Sequence, residues 1–123
     1  MKSFLLVFLG GGLGSGLRYL VTAAMNQYSK FLPYGTFTVN ILGCLLIGLI
    51  LGYTQKESTL TSNQTILLAT GFCGGFTTFS AFANENLELI KNGQIFNFSV
   101  YTIGSILIGI LAVFIGLYLT KNI

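Results

Sequence analysis

Four long apolar stretches, separated by short polar connections, dominate the pattern of hydrophobic and polar positions along this chain. They cover roughly residues 3–26, 34–53, 63–90 and 95–120. An apolar stretch of about 20 residues is long enough to cross the hydrocarbon core of a bilayer as an α-helix. The pattern therefore predicts an all-α membrane protein, with four transmembrane helices in a single domain over residues 1–123 and both termini on the same side.

The composition excludes the soluble classes. Of the 123 residues, 53% are hydrophobic and 7% are charged, and the mean hydropathy is +0.80, whereas a soluble domain carries about 25% charged residues. The net charge of +3 is scattered, so nucleic acid is not an expected partner. Histidine is absent, and Cys44 and Cys73 lack the spacing of metal ligands. The apolar start resembles a signal peptide without a cleavage site, and we interpret it as an uncleaved first helix.

The lysines are almost evenly divided between the two sides of the predicted bundle. Lys2, Lys56 and Lys121 fall on one side, and Lys30 and Lys91 fall on the other. Orientation in a membrane normally follows a clear excess of Lys and Arg on the cytoplasmic side. The balance allows one weakly oriented topology or insertion both ways round, and it favours the second, which is called dual topology.

The third apolar stretch contains features that an ordinary membrane helix avoids. Gly74-Gly75 loosens the backbone, Thr77-Thr78 offers competing hydroxyls, and Phe76, Phe79 and Phe82 recur every three residues. Non-helical backbone survives at membrane depth only where protein or a water-filled cavity satisfies its polar groups. We therefore predict a helix that breaks at Gly74-Gly75, near the middle of the stretch, and builds an ion site. The simpler alternative for the phenylalanines is a packing stripe.

Polar residues inside the other stretches allow two interpretations each. Arg18 either faces the bundle interior or snorkels to the membrane surface. Thr36, Asn40 and Gly43 share one helical face, where the Asn40 amide either donates to an anion or only ties helices together. Tyr101, Ser105 and Gly109 form a similar row on the fourth helix, which either lines a polar track or packs. The glycine-rich run at residues 10–16 favours close helix packing over phosphate binding.

Taken together, the predicted intramembrane groups are rich in hydrogen-bond donors. Such linings suit anions. Phenyl rings presented edge-on can stabilise a small anion, whereas rings presented face-on suit a cation. Carbonyl groups freed by a broken helix suit a hard cation such as sodium. Because four short spans enclose little of a pathway, we expect a dimer.

Three segments also carry a resemblance to a known family. They are the run Gly-Phe-Cys-Gly-Gly-Phe-Thr-Thr-Phe-Ser-Ala-Phe at 71–82 with Glu85 behind it, the pattern Gly-Thr-Phe-x-Val-Asn-x-x-Gly at 35–43, and the pattern Gly-Gly-x-Gly-x-x-x-Arg-Tyr at 11–19. With them the chain resembles the Fluc/CrcB fluoride channels over essentially its whole length. The resemblance implies a homodimer of two antiparallel subunits in a cell membrane, expected to be bacterial, through which fluoride leaves the cytoplasm passively down its gradient.

The resemblance also implies roles for particular residues. Phe79 and Phe82 match pore phenylalanines whose ring edges face fluoride, and Asn40 matches a pore-lining amide. The carbonyls of Gly74 and Thr77 match positions that hold a structural sodium ion at the dimer centre. The remaining expected members of the fluoride pathway are Thr36, Ser80, Tyr101, Ser105 and Arg18, and Glu85 matches a second charged residue of the family. Ala81 and Gly109 depart from the family pattern, since each lacks an expected hydroxyl.

The main alternative is a small dual-topology multidrug exporter, which also has four short helices. Its proton-coupled chemistry needs a carboxylate deep in the membrane, but the first helix offers Arg18 and Glu85 lies late in the third. An accessory subunit without transport activity would leave the broken helix unexplained. In none of these interpretations is the protein an enzyme.

Overall fold

The computed structural model describes residues 1–28, 32–56 and 60–122, and every regular element in these ranges is helical. Helix α1 (Lys2–Met25) runs into a 3₁₀ turn (Asn26–Tyr28), and α2 (Tyr34–Gln55) follows. The next segment contains α3 (Ser62–Thr65), a π-helical segment (Ile66–Cys73), α4 (Gly74–Phe76) and α5 (Phe79–Lys91). Helix α6 (Ile95–Lys121) ends the described chain.

Four helical stretches are long and apolar enough to cross a membrane. They are Lys2–Met25, Tyr34–Gln55, Ser62–Lys91, called the third span below, and Ile95–Lys121. The prediction of an all-α membrane protein with four spans is therefore confirmed. Lys30, one of the residues in the lysine comparison, lies outside the described residues.

Helix α1 packs closely against the third span because glycines leave room for the approaching backbone. A Cβ atom at Gly14 would lie 2.8 Å from the backbone nitrogen of Phe76, and one at Gly10 would lie 2.9 Å from that of Phe72. Gly75 in turn packs against the backbone of Gly11. The prediction that the glycine-rich run serves helix packing is confirmed for Gly10, Gly11 and Gly14, whereas nothing lies within 4 Å of a Cβ atom at Gly12 or Gly16.

Helices α2 and α6 pack along a second line of small residues. A Cβ atom at Gly116 would lie 2.7 Å from the backbone nitrogen of Leu49, and Gly48 faces Gly116 at a similarly close approach. At the end of this contact the side chain of Thr120, fully buried, occupies the space beside Gly52. The two helices form the surface on which α5 and the middle of the third span rest.

Helical backbone stops at a different place from the one predicted. Gly74 and Gly75 both lie in α4, and Gly74 has ordinary helical dihedral angles of φ −61° and ψ −37°. The extended residues are Thr77, with φ −86° and ψ 159°, and Thr78, with φ −150° and ψ 122°. The predicted position at Gly74-Gly75 is therefore wrong. The physical reason is that close packing on α1 needs Gly75 in a helical turn, while the Thr77 and Thr78 hydroxyls make hydrogen bonds to the neighbouring backbone where the helix is interrupted.

Candidate functional site

A cavity of about 440 Å³ opens where α2, the third span and α6 meet. Six of the residues predicted for the ion site line it, namely Asn40, Gly74, Thr77, Phe79, Phe82 and Ser105. Thr78 and both cysteines, Cys44 and Cys73, also line the cavity. The predicted residues Arg18, Thr36, Ser80 and Tyr101 are not among the lining residues, and each has a different set of contacts.

The side chain of Asn40 pairs with the backbone of Thr78 on both of its amide groups. Its Oδ1 accepts a hydrogen bond from the Thr78 N–H at 2.7 Å, and its Nδ2 donates to the Thr78 carbonyl at 3.1 Å. The Asn40 amide thus holds the extended residue much as a neighbouring strand would. One Nδ2 hydrogen remains for another acceptor.

The hydrogen bonds around Thr78 deprive two carbonyls of their usual helical donors. In a continuous α-helix the N–H of residue i donates to the carbonyl of residue i−4. The Thr78 N–H, which would serve the Gly74 carbonyl, goes to Asn40. The Ala81 N–H, which would serve the Thr77 carbonyl, goes to the Thr78 Oγ1 at 3.2 Å and caps α5.

The carbonyl of Gly75, by contrast, is fully occupied by donors from α1. Arg18 Nε donates to it at 2.9 Å and Ser15 Oγ at 3.4 Å. Arg18 is half-buried, and its guanidinium contacts the backbone of α4. This contact satisfies a carbonyl that the end of α4 leaves without a helical partner.

Three aromatic rings follow one another from the cavity to α6. The ring centroids of Phe79 and Phe82 are 5.8 Å apart at an interplanar angle of 41°, and those of Phe82 and Tyr101 are 5.1 Å apart at 58°. Phe76 does not belong to this group, because it stacks on Phe72 at 5.6 Å on the other side of the extended residues. Phe76 therefore does not share a face with Phe79 and Phe82, although the three recur every three residues in the sequence. Phe79 is 79% exposed.

Glu85 joins α2, α5 and α6 through two hydrogen bonds. Thr36 Oγ1 donates to its Oε2 at 2.8 Å, and the Tyr101 hydroxyl donates to its Oε1 at 3.1 Å. Both donors are almost fully buried, with 2% and 4% of their surfaces exposed. Sequence reasoning noted Glu85 only as a match to a charged position and did not place it among the site residues. One feature of the sequence could have indicated a role for Glu85: Thr36, which donates to it, lies on the same face of α2 as Asn40.

The two predicted serines differ in their surroundings. The hydroxyl of Ser105 is buried at the cavity and has no hydrogen-bond partner within the described residues. Ser80 is exposed, and its Oγ lies 3.2 Å from Thr78 Oγ1. Ser105 is therefore the hydroxyl with unused hydrogen-bonding capacity inside the cavity.

The atoms that the site offers as metal ligands decide which metals it could hold. In the part of the chain that the structure describes, no three side chains of His, Cys, Asp or Glu gather as metal ligands. The carbonyls of Gly74 and Thr77, which have lost their helical donors, are hard oxygen ligands. The residues present therefore fit a hard cation such as sodium better than a transition metal.

The fold and the site define a small multi-pass membrane protein with a partly polar cavity between its spans. Residues 5–117 match the family described as CrcB-like protein, Camphor Resistance (CrcB), and the chain belongs to this family. The resemblance found in the sequence is confirmed.

Similar proteins extend over the full length of the chain. A protein of Flavobacterium psychrophilum is 46% identical over 124 residues, which is 100% of both chains. A protein of Phocaeicola vulgatus is 48% identical and covers 98% of this chain and 100% of its own, and one of Gloeothece citriformis is 48% identical and covers 99% of each. All three are named fluoride-specific ion channel FluC. These names are those of a channel, not of an enzyme or an exporter.

Proposed function

We propose that the protein is a fluoride-selective ion channel that lets fluoride leave the cytoplasm passively down its electrochemical gradient. The observation that carries this proposal is the similarity over the whole chain to bacterial proteins named fluoride-specific ion channel. The cavity agrees with it, because the unpaired donors that it offers, one Asn40 N–H and the Ser105 hydroxyl, suit an anion. The same relatives support a location in a bacterial cell membrane.

The fluoride path runs along the cavity and the aromatic rings beside it. The edges of Phe79 and Phe82 carry the positive part of the ring quadrupole, and the remaining Asn40 Nδ2 hydrogen and the unpartnered Ser105 hydroxyl are donors for a small anion. Further polar members of the path are Ser80, Tyr101, Thr36 and Arg18. Several weak donors in a row suit conduction, since an ion must bind well enough to enter and weakly enough to leave.

The third span acts as a broken helix that holds a structural sodium ion on the carbonyls of Gly74 and Thr77. The diversion of their helical donors to Asn40 and Thr78 supports this role. A fixed cation raises the local potential and so favours an anion nearby. The ion supplies charge only, and the chain supplies the oxygen ligands.

The working unit is a homodimer of two antiparallel subunits. Two carbonyls are few for a hard cation, and a second copy would double them. Phe79 is 79% exposed beside the cavity, and a second copy would cover it. The balanced lysines support insertion in both orientations, which an antiparallel pair requires.

The proposal is tested by ion release from liposomes that contain the purified protein. We expect fluoride to leave down its gradient when a potassium ionophore balances the charge, while chloride stays trapped. Protein-free liposomes are the control for leakage. Equal loss of both ions, or loss of neither, would contradict the proposal.

A further inference from the structure

Asn40 makes a contact that its expected role as a fluoride donor does not require. Both the oxygen and the nitrogen of its amide are paired with the backbone of Thr78, at 2.7 and 3.1 Å. An amide that served only an anion would need its N–H groups free, and its oxygen would have no use there. The two hydrogen bonds from Asn40 to the backbone of Thr78, called the clamp below, instead hold one extended residue in place.

The clamp determines where the Thr78 N–H goes. Without an acceptor from α2, that N–H would be drawn to the Gly74 carbonyl, because a buried donor left unsatisfied costs about 1–3 kcal/mol. The clamp therefore keeps the Gly74 carbonyl free. It acts across 38 positions of sequence, so α2 controls the state of the third span.

Two further contacts complete the arrangement. The Thr78 hydroxyl accepts from the Ala81 N–H and so keeps this donor from the Thr77 carbonyl. Gly43, one turn after Asn40, allows the close approach, because a Cβ atom there would collide with the Thr77 side chain. Meanwhile Arg18 and Ser15 occupy the Gly75 carbonyl. Among the described residues, no hydrogen bond across or between helices reaches the carbonyls of Gly74 and Thr77, whereas the Gly75 carbonyl accepts two from α1.

We propose that Asn40 is a positioning residue for a hard monovalent cation: together with the Thr78 hydroxyl, it withdraws two N–H donors from the carbonyls of Gly74 and Thr77 and leaves these carbonyls to the ion. This inference rests on the proposed sodium site. It assigns Asn40 to cation binding through Thr78, in addition to any contact that its remaining Nδ2 hydrogen makes with fluoride.

The test compares Asn40→Ala with Asn40→Asp in purified full-length protein. Two quantities are measured without fluoride: the sodium that stays bound after exchange into N-methylglucamine buffer, and the melting temperature during a sodium titration. Asp keeps an oxygen for the Thr78 N–H, whereas Ala removes it. Thr38→Val is the matched control, since Thr38 lies on the same helix and its side chain has no hydrogen bond within the described residues.

We expect the Ala variant to lose retained sodium, or to need about tenfold more sodium for half of the thermal shift, which corresponds to the loss of one hydrogen bond. The Asp variant should bind sodium at least as well as the unchanged protein, although its fluoride release should fall because it has lost the amide N–H. The Thr38 variant should match the unchanged protein in both measurements.

Unchanged sodium binding in a folded Asn40→Ala variant would overturn the inference, even if fluoride release fell, and would leave the channel proposal intact. If the unchanged protein retains no sodium and its melting temperature does not change with sodium, while it still releases fluoride, both the sodium site and this inference are overturned. If the Ala variant does not fold, Thr78→Val and Thr78→Ser decide. Only Val removes the hydroxyl, so only Val should weaken sodium binding, and equal binding by the two would overturn the inference.

Discussion

At the scale of single residues, the polar side chains in and around the cavity differ in whether their hydrogen-bonding groups already have partners. The hydroxyls of Thr36 and Tyr101 donate to Glu85, and Arg18 Nε donates to the Gly75 carbonyl. Ser105 and one Asn40 hydrogen remain available at the cavity. The exposed ring of Phe79 lies beside them. A small set of groups is therefore unpaired at the cavity, while Thr36, Tyr101 and Arg18, proposed as further members of the path, also hold the helices in place.

The ring-edge interpretation predicts that Phe79→Ile and Phe82→Ile each impair fluoride release from liposomes. Isoleucine keeps much of the apolar volume but has no quadrupole, so the positive edge is lost. We expect a decrease of tenfold or more in the initial rate, as one interaction of about 1.4 kcal/mol would give.

Phe96→Ile is the matched control, since Phe96 is 80% exposed at the start of α6 and does not line the cavity. Its rate should equal that of the unchanged protein. Unchanged rates in both Phe79→Ile and Phe82→Ile would instead favour a packing stripe.

At the scale of helices, the contact between α1 and the third span depends on backbone meeting backbone. The π-helical segment and α4 present carbonyl and amide groups directly to the glycines of α1. Side chains cannot relieve a clash of this kind by changing rotamer. The contact also places Arg18 and Ser15 beside the Gly75 carbonyl, so the packing of α1 positions groups next to the proposed cation site.

Gly14 and Gly16 provide a matched pair for testing this packing. We expect Gly14→Ala to destabilise the folded protein by about 1–3 kcal/mol, because the new methyl group would meet the backbone of Phe72 and Phe76. Gly16→Ala should leave stability unchanged or slightly raise it, since nothing lies within 4 Å of a Cβ atom there. Thermal unfolding in detergent measures both, and equal stabilities would contradict a close contact at Gly14.

At the scale of the whole molecule, one copy of the chain leaves the proposed channel incomplete. The cavity opens beside a phenylalanine that is 79% exposed, and the two free carbonyls are fewer ligands than a hard cation takes. A second copy in the opposite orientation would supply the same groups again. The lysine balance between the two sides is the sequence feature that permits such a pair.

Dual topology predicts that a reporter fused to the C-terminus gives a signal on both sides of the membrane. The physical reason is that the two sides differ by only one lysine when Lys2, Lys56 and Lys121 are compared with Lys30 and Lys91. Removing or increasing this excess of one lysine should shift the ratio of the reporter signals on the two sides of the membrane. Lys91→Gln, which widens the difference, should move the reporter towards one side, and a signal from one side only in the unchanged protein would rule out dual topology.

The sequence by itself determined the number and approximate limits of the spans, because hydropathy is a sum over neighbouring residues and needs no tertiary contact. It also determined the close packing of α1, since a run of glycines has few other uses in a membrane helix. The motifs around Asn40 and Phe79 were sufficient to recognise the family.

Only the tertiary structure decided where helical backbone stops and which groups it leaves free. The position of the extended residues depends on Asn40, which lies 38 positions away from Thr78, and on α1, whose backbone requires Gly75 in a helical turn. The role of Glu85 in joining three helices is visible only in the tertiary structure, where Thr36, 49 positions away, and Tyr101 donate to it. Local periodicity carries no information on such pairs, because hydrogen bonds between helices are set by how the helices pack.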